Sequence, residues 1–309
     1  MSTQTMAVRG EGFGIVCVLI ASALWGTTGT AATFAPDVSP LAIGAAAMGL
    51  GGLLQTILAL RQINADWGLL RRHWIYVITG ALAVAIYPLA FYSSMRLAGV
   101  TVGTVITIGA APLLSAVIER VFDGKPLSRR WLFGMLVGVI GAVLLCAAKS
   151  AGHPESAIHA TTSESIAGVG LGLLAAATYA LYSWTAHRLM RQDITSGAAM
   201  GATFGIGGLL LMPVLFATGG PLLESATNAA VGIYMTLMPM FLGYVLFGMG
   251  LARIPASLAT TLSLIEPVIA ALLAVTIVGE RLPVIGWIGV GLIIGCLYVL
   301  TSGQKSATP

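Results

Sequence analysis

Charge is what this chain has least of. Its 309 residues include only 15 Lys and Arg and 11 Asp and Glu, so 8% of side chains are charged against 57% hydrophobic, and the mean hydropathy is +0.95. Soluble domains carry about 25% charged residues, so this balance excludes a soluble globular fold and implies an all-α integral membrane protein. Three cysteines, Cys17, Cys146 and Cys296, offer neither a disulfide framework nor a paired metal motif; they read as small core residues. No Gly-x-x-x-x-Gly-Lys-Ser/Thr phosphate loop is present, so no ATP drive is encoded, and His-Glu-x-x-His is absent. The four histidines, His73, His153, His159 and His187, fall in loops or at span ends, which leaves no intramembrane protease constellation. The expectation is a non-enzyme with no metal and no cofactor. The net charge of +4 would hint at nucleic acid in a soluble chain; here the placement of charge matters more than its sum, and membrane lipid is the expected surrounding.

Long apolar runs fill most of the chain. Ten spans of about 20 residues are expected, at 12–34, 40–60, 74–97, 100–122, 131–149, 166–188, 197–217, 229–252, 256–278 and 284–302. The joints after the third and eighth are very short. With the N-terminus inside, the cytoplasmic segments hold 12 of the 15 basic residues, leaving Arg96, Lys149 and Arg281 on the other side. The excess of positive charge inside then places both termini in the cytoplasm. Arg9, the following apolar run and Ala21-Ser22-Ala23 imitate a cleavable signal peptide, but the first span has a mate later in the chain that cleavage would leave unpaired.

Residues 150–165 form the longest polar stretch and divide the chain into 1–149 and 166–303, five spans each, with 304–309 as a cytoplasmic tail and the linker on the periplasmic side. The halves resemble one another. Ala21-Ser22-Ala23-Leu24-Trp25-Gly26 aligns with Ala175-Ala176-Ala177-Thr178-Tyr179-Ala180, Leu97-Ala98 with Leu251-Ala252, and Pro112 with Pro267; Gly124 and Gly279 follow those prolines at equal distance. An odd number of spans per half forces the copies into opposite orientations. Inverted repeats place a central cavity near the midplane, where interrupted helices of the two halves meet. Pro88 and Pro239 are expected to interrupt the third and eighth spans, and Pro112 and Pro267 the fourth and ninth. Glycines 134, 138, 141, 286, 289, 291 and 295 give the fifth and tenth spans faces for close backbone approach. These spans read as scaffold, with dimerisation as the other use; a monomer is expected, with a homodimer as the alternative.

The Ala-x-aromatic-small pattern of the first and sixth spans, the prolines of the fourth and ninth, and Gly279-Glu280-Arg281-Leu282 carry a resemblance to the drug/metabolite transporter superfamily, EamA type, over essentially the whole chain. Within it the sequence is most similar to the bacterial aromatic amino acid exporters (YddG-like). The resemblance implies a ten-helix inner-membrane exporter with a central cavity. One departure is Lys125, where the family's first repeat often has a glutamate matching Glu280.

Glu266 is the one carboxylate set well inside a span, where charge costs roughly 2.5–3.5 kcal/mol. It would bind a substrate ammonium group or carry a proton; the competing reading is a protonated structural residue hydrogen-bonded to a neighbouring helix. Trp25 and Tyr179, paired by the repeat, are expected as cavity walls. Tyr87, Tyr182 and Tyr244 are further candidates, with core packing as their alternative. Thr107 and Ser263 lie on the polar faces of the fourth and ninth spans; they would contact a zwitterion or satisfy carbonyls freed by the prolines. Together with the proline placement and the family resemblance, these residues imply export of aromatic and other largely hydrophobic amino acids by alternating access. The alternative is another small metabolite or a drug-like cation, proton-coupled through Glu266.

Overall fold

The computed structural model of the chain describes residues 3–152, 162–279 and 281–302. Most of the 150–165 linker, Glu280 and the 304–309 tail lie outside the described residues. Among the described residues, ten helices are long and apolar enough to cross a membrane: α1 (Gly10–Ala32), α2 (Pro40–Ala65), α3 (Trp74–Ala98), α4 (Val102–Asp123), α5 (Arg129–Ala148), α6 (Ser163–Met190), α7 (Ser196–Thr218), α8 (Ala226–Leu251), α9 (Ala256–Ile277) and α10 (Val284–Thr301). Each agrees with its expected span to within a few residues. The short third-to-fourth joint turns at Gly99, φ 87°, a backbone angle that favours glycine. The outer faces carry Val117, Ile140, Leu209, Ile233 and Ile294, each at least half exposed, as lipid contact requires.

Helix starts match across the repeat. The Ser39 hydroxyl accepts from the Ala42 N–H at 3.2 Å to begin α2, and the Thr195 hydroxyl accepts from the Ala198 N–H at 3.4 Å to begin α7. Packing follows the same exchange. Helix α2 lies against α7 and α5 against α10; α3 and α4 pack on α6, as α8 and α9 pack on α1. The fold is therefore two inverted five-helix repeats around a central cavity.

Small residues set the two self-paired seams. A Cβ at Gly52 would stand 2.2 Å from the Phe204 carbonyl oxygen, and one at Gly208 would stand 2.6 Å from that of Gly49. Between α5 and α10, Gly141 and Gly289 approach each other's carbonyls in the same way. That seam is thus occupied within the chain, while Gly291 and Gly295 face open space.

The matched prolines do not act alike. Pro88 and Pro112 sit inside helices assigned α throughout, so neither interrupts its span; loss of one hydrogen bond is carried by the rest of the ladder. Among the described residues, the helix interruptions beside these prolines fall in the second half. Helix α8 widens into a π turn over Thr236–Leu242, around Pro239. Helix α9 passes through a 3₁₀ turn at Ser263–Ile265, restarts as Glu266–Leu273 and ends in a π turn at Ala274–Val278. Pro267 falls in the first turn of the restarted segment, where a missing N–H costs little.

Candidate functional site

Where α9 restarts, Glu266 occupies the first turn, the end of a helix that favours negative charge. Its side chain reaches a cavity of about 470 Å³ lined by α1, the α1–α2 connection, the start of α2 and parts of α3, α4, α5, α8 and α9, a volume typical of small-molecule sites. The wall is mostly apolar: Trp25, Phe91, Tyr92, Met95, Ile108, Leu145 and Pro267 are prominent in it. Thr28 and Thr104 add hydroxyls. Among the described residues no lysine, arginine or histidine lines this cavity, and no side chain donates a hydrogen bond to Glu266. The carboxylate is left available to a ligand.

A smaller chamber of about 50 Å³ shares Trp25, Thr28, Phe91, Tyr92, Ile108 and Glu266 with the main cavity and continues it inward. Its remaining aromatic walls are Tyr87, Tyr179, Tyr182 and Tyr244. The rings form one cluster: Trp25 lies 4.8 Å from Tyr244 and 6.4 Å from Tyr179 in an edge-on arrangement, and Tyr87 lies 5.7 Å from Tyr179. Such contacts add stability beyond burial alone. The polar atoms of Trp25, Tyr179, Tyr182 and Tyr244 are paired. Tyr182 and Tyr244 share a hydroxyl–hydroxyl bond of 2.9 Å. Ser263 donates to the Ala259 carbonyl at 3.0 Å, so at 2.8 Å it accepts from the Tyr179 hydroxyl.

The Trp25 indole explains part of the π turn. The Gly243 N–H bonds to Met238 instead of Pro239, its α-helical partner, and the Pro239 carbonyl accepts from Trp25 Nε1 at 2.9 Å. Gly243 makes room for this: a Cβ there would lie 2.9 Å from Nε1.

Of the eight residues expected from sequence, Trp25 and Glu266 line the main cavity and Tyr87, Tyr179, Tyr182 and Tyr244 the inner chamber. Thr107 and Ser263 line neither. Thr107 is fully buried and donates to the Gly172 carbonyl at 3.2 Å, on the seam between α4 and α6. Among the four prolines, Pro267 and Pro88 reach the cavity or chamber; Pro112 and Pro239 do not. Thr104, on the same polar face of the fourth span as Thr107, does line the main cavity, whereas Tyr92, Phe91 and Thr28 are wall residues that sequence reasoning passed over. Tyr92 had one usable signal, its place one turn beyond Pro88 on the face of α3 that meets Gly44, where a Cβ would stand 2.3 Å from the ring.

Comparison with known proteins agrees with this architecture. The chain is similar to the Bacillus subtilis protein named "Uncharacterized transporter YwfM", with 31% identity over 94% of this chain and 95% of that one. It is also similar to the Salmonella typhimurium "Uncharacterized inner membrane transporter YicL", with 24% identity over 94% and 96% of the two chains. A solved crystal structure at 19% identity superposes with a TM-score of 0.78 over 97% of this chain and all of the other, which supports the fold. The model of the EamA-like transporter family matches residues 12–147 and again 166–302, and the chain belongs to that family.

Proposed function

We propose that the protein exports aromatic and other largely hydrophobic amino acids across the cell inner membrane by alternating access, with both termini in the cytoplasm. The observation that carries this reading is the unpartnered Glu266 carboxylate in an aromatic, otherwise uncharged wall. The carboxylate would hold the substrate ammonium group, while Trp25, Phe91 and Tyr92 offer faces to an apolar or planar side chain. An apolar wall with few fixed hydrogen-bonding groups also fits a broad substrate range.

A second reading has its own support. No basic side chain on the described wall faces a substrate carboxylate, which favours a cation or other small metabolite lacking that group, with Glu266 as counter-charge and proton carrier. Efflux from proteoliposomes preloaded in turn with labelled Trp, Phe, Met, Lys, Glu and tryptamine separates the two. The expected result is saturable flux of Trp, Phe and Met. Glu266→Gln removes a charge-assisted contact of roughly 1.5–3 kcal/mol and should lower kcat/KM about tenfold or more. Flux of tryptamine without Trp would move the assignment to amines. Flux of none of the six would sink the amino acid assignment and send the search to other metabolites and organic cations.

A further inference from the structure

Helix α4 meets the main cavity through Thr104 and Ile108; several turns later its other end carries two buried carboxylates. Glu119, 3% exposed, accepts from the Ala256 N–H at 3.1 Å, from the Ser257 hydroxyl and from Lys125 Nζ at 3.1 Å. It thereby caps the start of α9. Asp123 accepts from the Trp184 indole N–H at 2.9 Å and from the Arg188 guanidinium. Nearby, His187 Nδ1 donates to the Leu251 carbonyl at 2.6 Å. These bonds tie the ends of α4, α6 and α8 to the start of α9 and close the molecule opposite the cavity.

The repeat shows what the open end lacks. In the registers that pair Pro112 with Pro267 and Trp25 with Tyr179, Glu119 corresponds to Ala274, Trp184 to Thr30 and Arg188 to Phe34. None of these counterparts can form an ion pair. Behind the polar closure, Ser115 and Ser183 are fully buried, and neither hydroxyl has a hydrogen-bond partner. Their counterparts are Ala270 and Gly29, and both of those line the open cavity. A buried hydroxyl without a partner calls for explanation; water in an opened cavity would satisfy both.

We propose that Glu119 and Asp123 form a one-sided latch that holds the empty protein open at the α1–α2 end, and that Ser115 and Ser183 are walls of the mirror-related cavity that appears when the latch opens. Breaking the latch loses charge-assisted bonds, whereas the described counterparts at the other end, Thr30, Phe34 and Ala274, offer no ionisable side chain to replace them. The two states therefore differ in free energy, and a ligand or substitution shifts them only through differential interaction. This inference rests on the alternating-access reading, and the test separates the two.

Gly29→Cys and Ser183→Cys are placed one at a time in full-length protein whose native cysteines are alanine, and the alkylation rate by a small charged thiol reagent is measured in detergent. With the latch intact, Gly29→Cys should react and Ser183→Cys should not. Arg188→Gln, and separately the milder Ser257→Ala, should raise the Ser183→Cys rate about tenfold, within the usual range of site coupling, and lower the Gly29→Cys rate; Arg188→Lys should restore both. Opposite shifts of the two reporters would not follow from simple loosening. A Ser183→Cys rate that is measurable but identical with and without the latch substitutions would overturn the latch alone. If Ser183→Cys stays unreactive in every variant, alternating access itself fails.

Discussion

Trp25 takes part in three contacts at once: its ring meets Tyr179, Tyr244 and Phe247, its indole N–H holds the Pro239 carbonyl across the π turn, and its face lines the cavity. Trp25→Phe keeps most of the ring and removes the donor, so it should destabilise the protein by about 0.5–1.5 kcal/mol. The check is the thermal midpoint of purified protein, against Trp287→Phe at a 47% exposed site, which should stay within about 0.5 kcal/mol. Equal midpoints would mean that the indole bond contributes nothing. At this scale the sequence was partly legible. Trp25 and Glu266 stood out because a carboxylate or an indole deep in an apolar span has few bland explanations. Thr107 and Ser263 were on polar faces, but whether a hydroxyl meets a cavity or a neighbouring helix depends on helix rotation, and successive residues differ by about 100°.

Between elements, backbone approach decides the packing of α2 against α7. Gly52→Ala places a Cβ against the rigid Phe204 carbonyl at 2.2 Å and should cost about 1–3 kcal/mol as overpacking. Gly29→Ala meets nothing within 4 Å and should be neutral or slightly stabilising, since alanine is the better helix former. The measurement is again the thermal midpoint of each variant; a Gly52→Ala protein as stable as the parent would show that the seam yields. Span positions were readable from the apolar runs, and the glycine faces of α5 and α10 were readable as close-approach surfaces. Their partner was not: a small-residue face looks the same whether it meets another helix of the chain or a second copy. The prolines show a similar limit. Pro112 and Pro267 match in sequence, yet only α9 breaks, because a missing N–H permits an interruption without requiring one.

For the whole molecule, the charge asymmetry of the loops leads to a sided expectation. A fluorescent protein fused after residue 309 should glow, and alkaline phosphatase inserted in the α1–α2 connection should be active; the reverse pattern would invert the orientation and with it the direction of export. With the proposed orientation the main cavity belongs to the periplasmic end of the bundle, since Ala35, Pro36 and Val38 of the α1–α2 connection line it, and the Glu119–Asp123 closure lies on the cytoplasmic side.

The sequence by itself determined the class, the ten spans, the repeat and the carboxylate set well inside a span, because each is a property of residue type and spacing in a solvent that tolerates neither charge nor open backbone. Which end is closed was decided only in the tertiary structure. Glu119, Asp123, Trp184 and Arg188 read as ordinary residues near helix ends; their role arises when four helix ends converge and withdraw two carboxylates from water. The same holds for Ser115 and Ser183, whose missing partners become meaningful only once their counterparts, Ala270 and Gly29, are seen to face an open cavity.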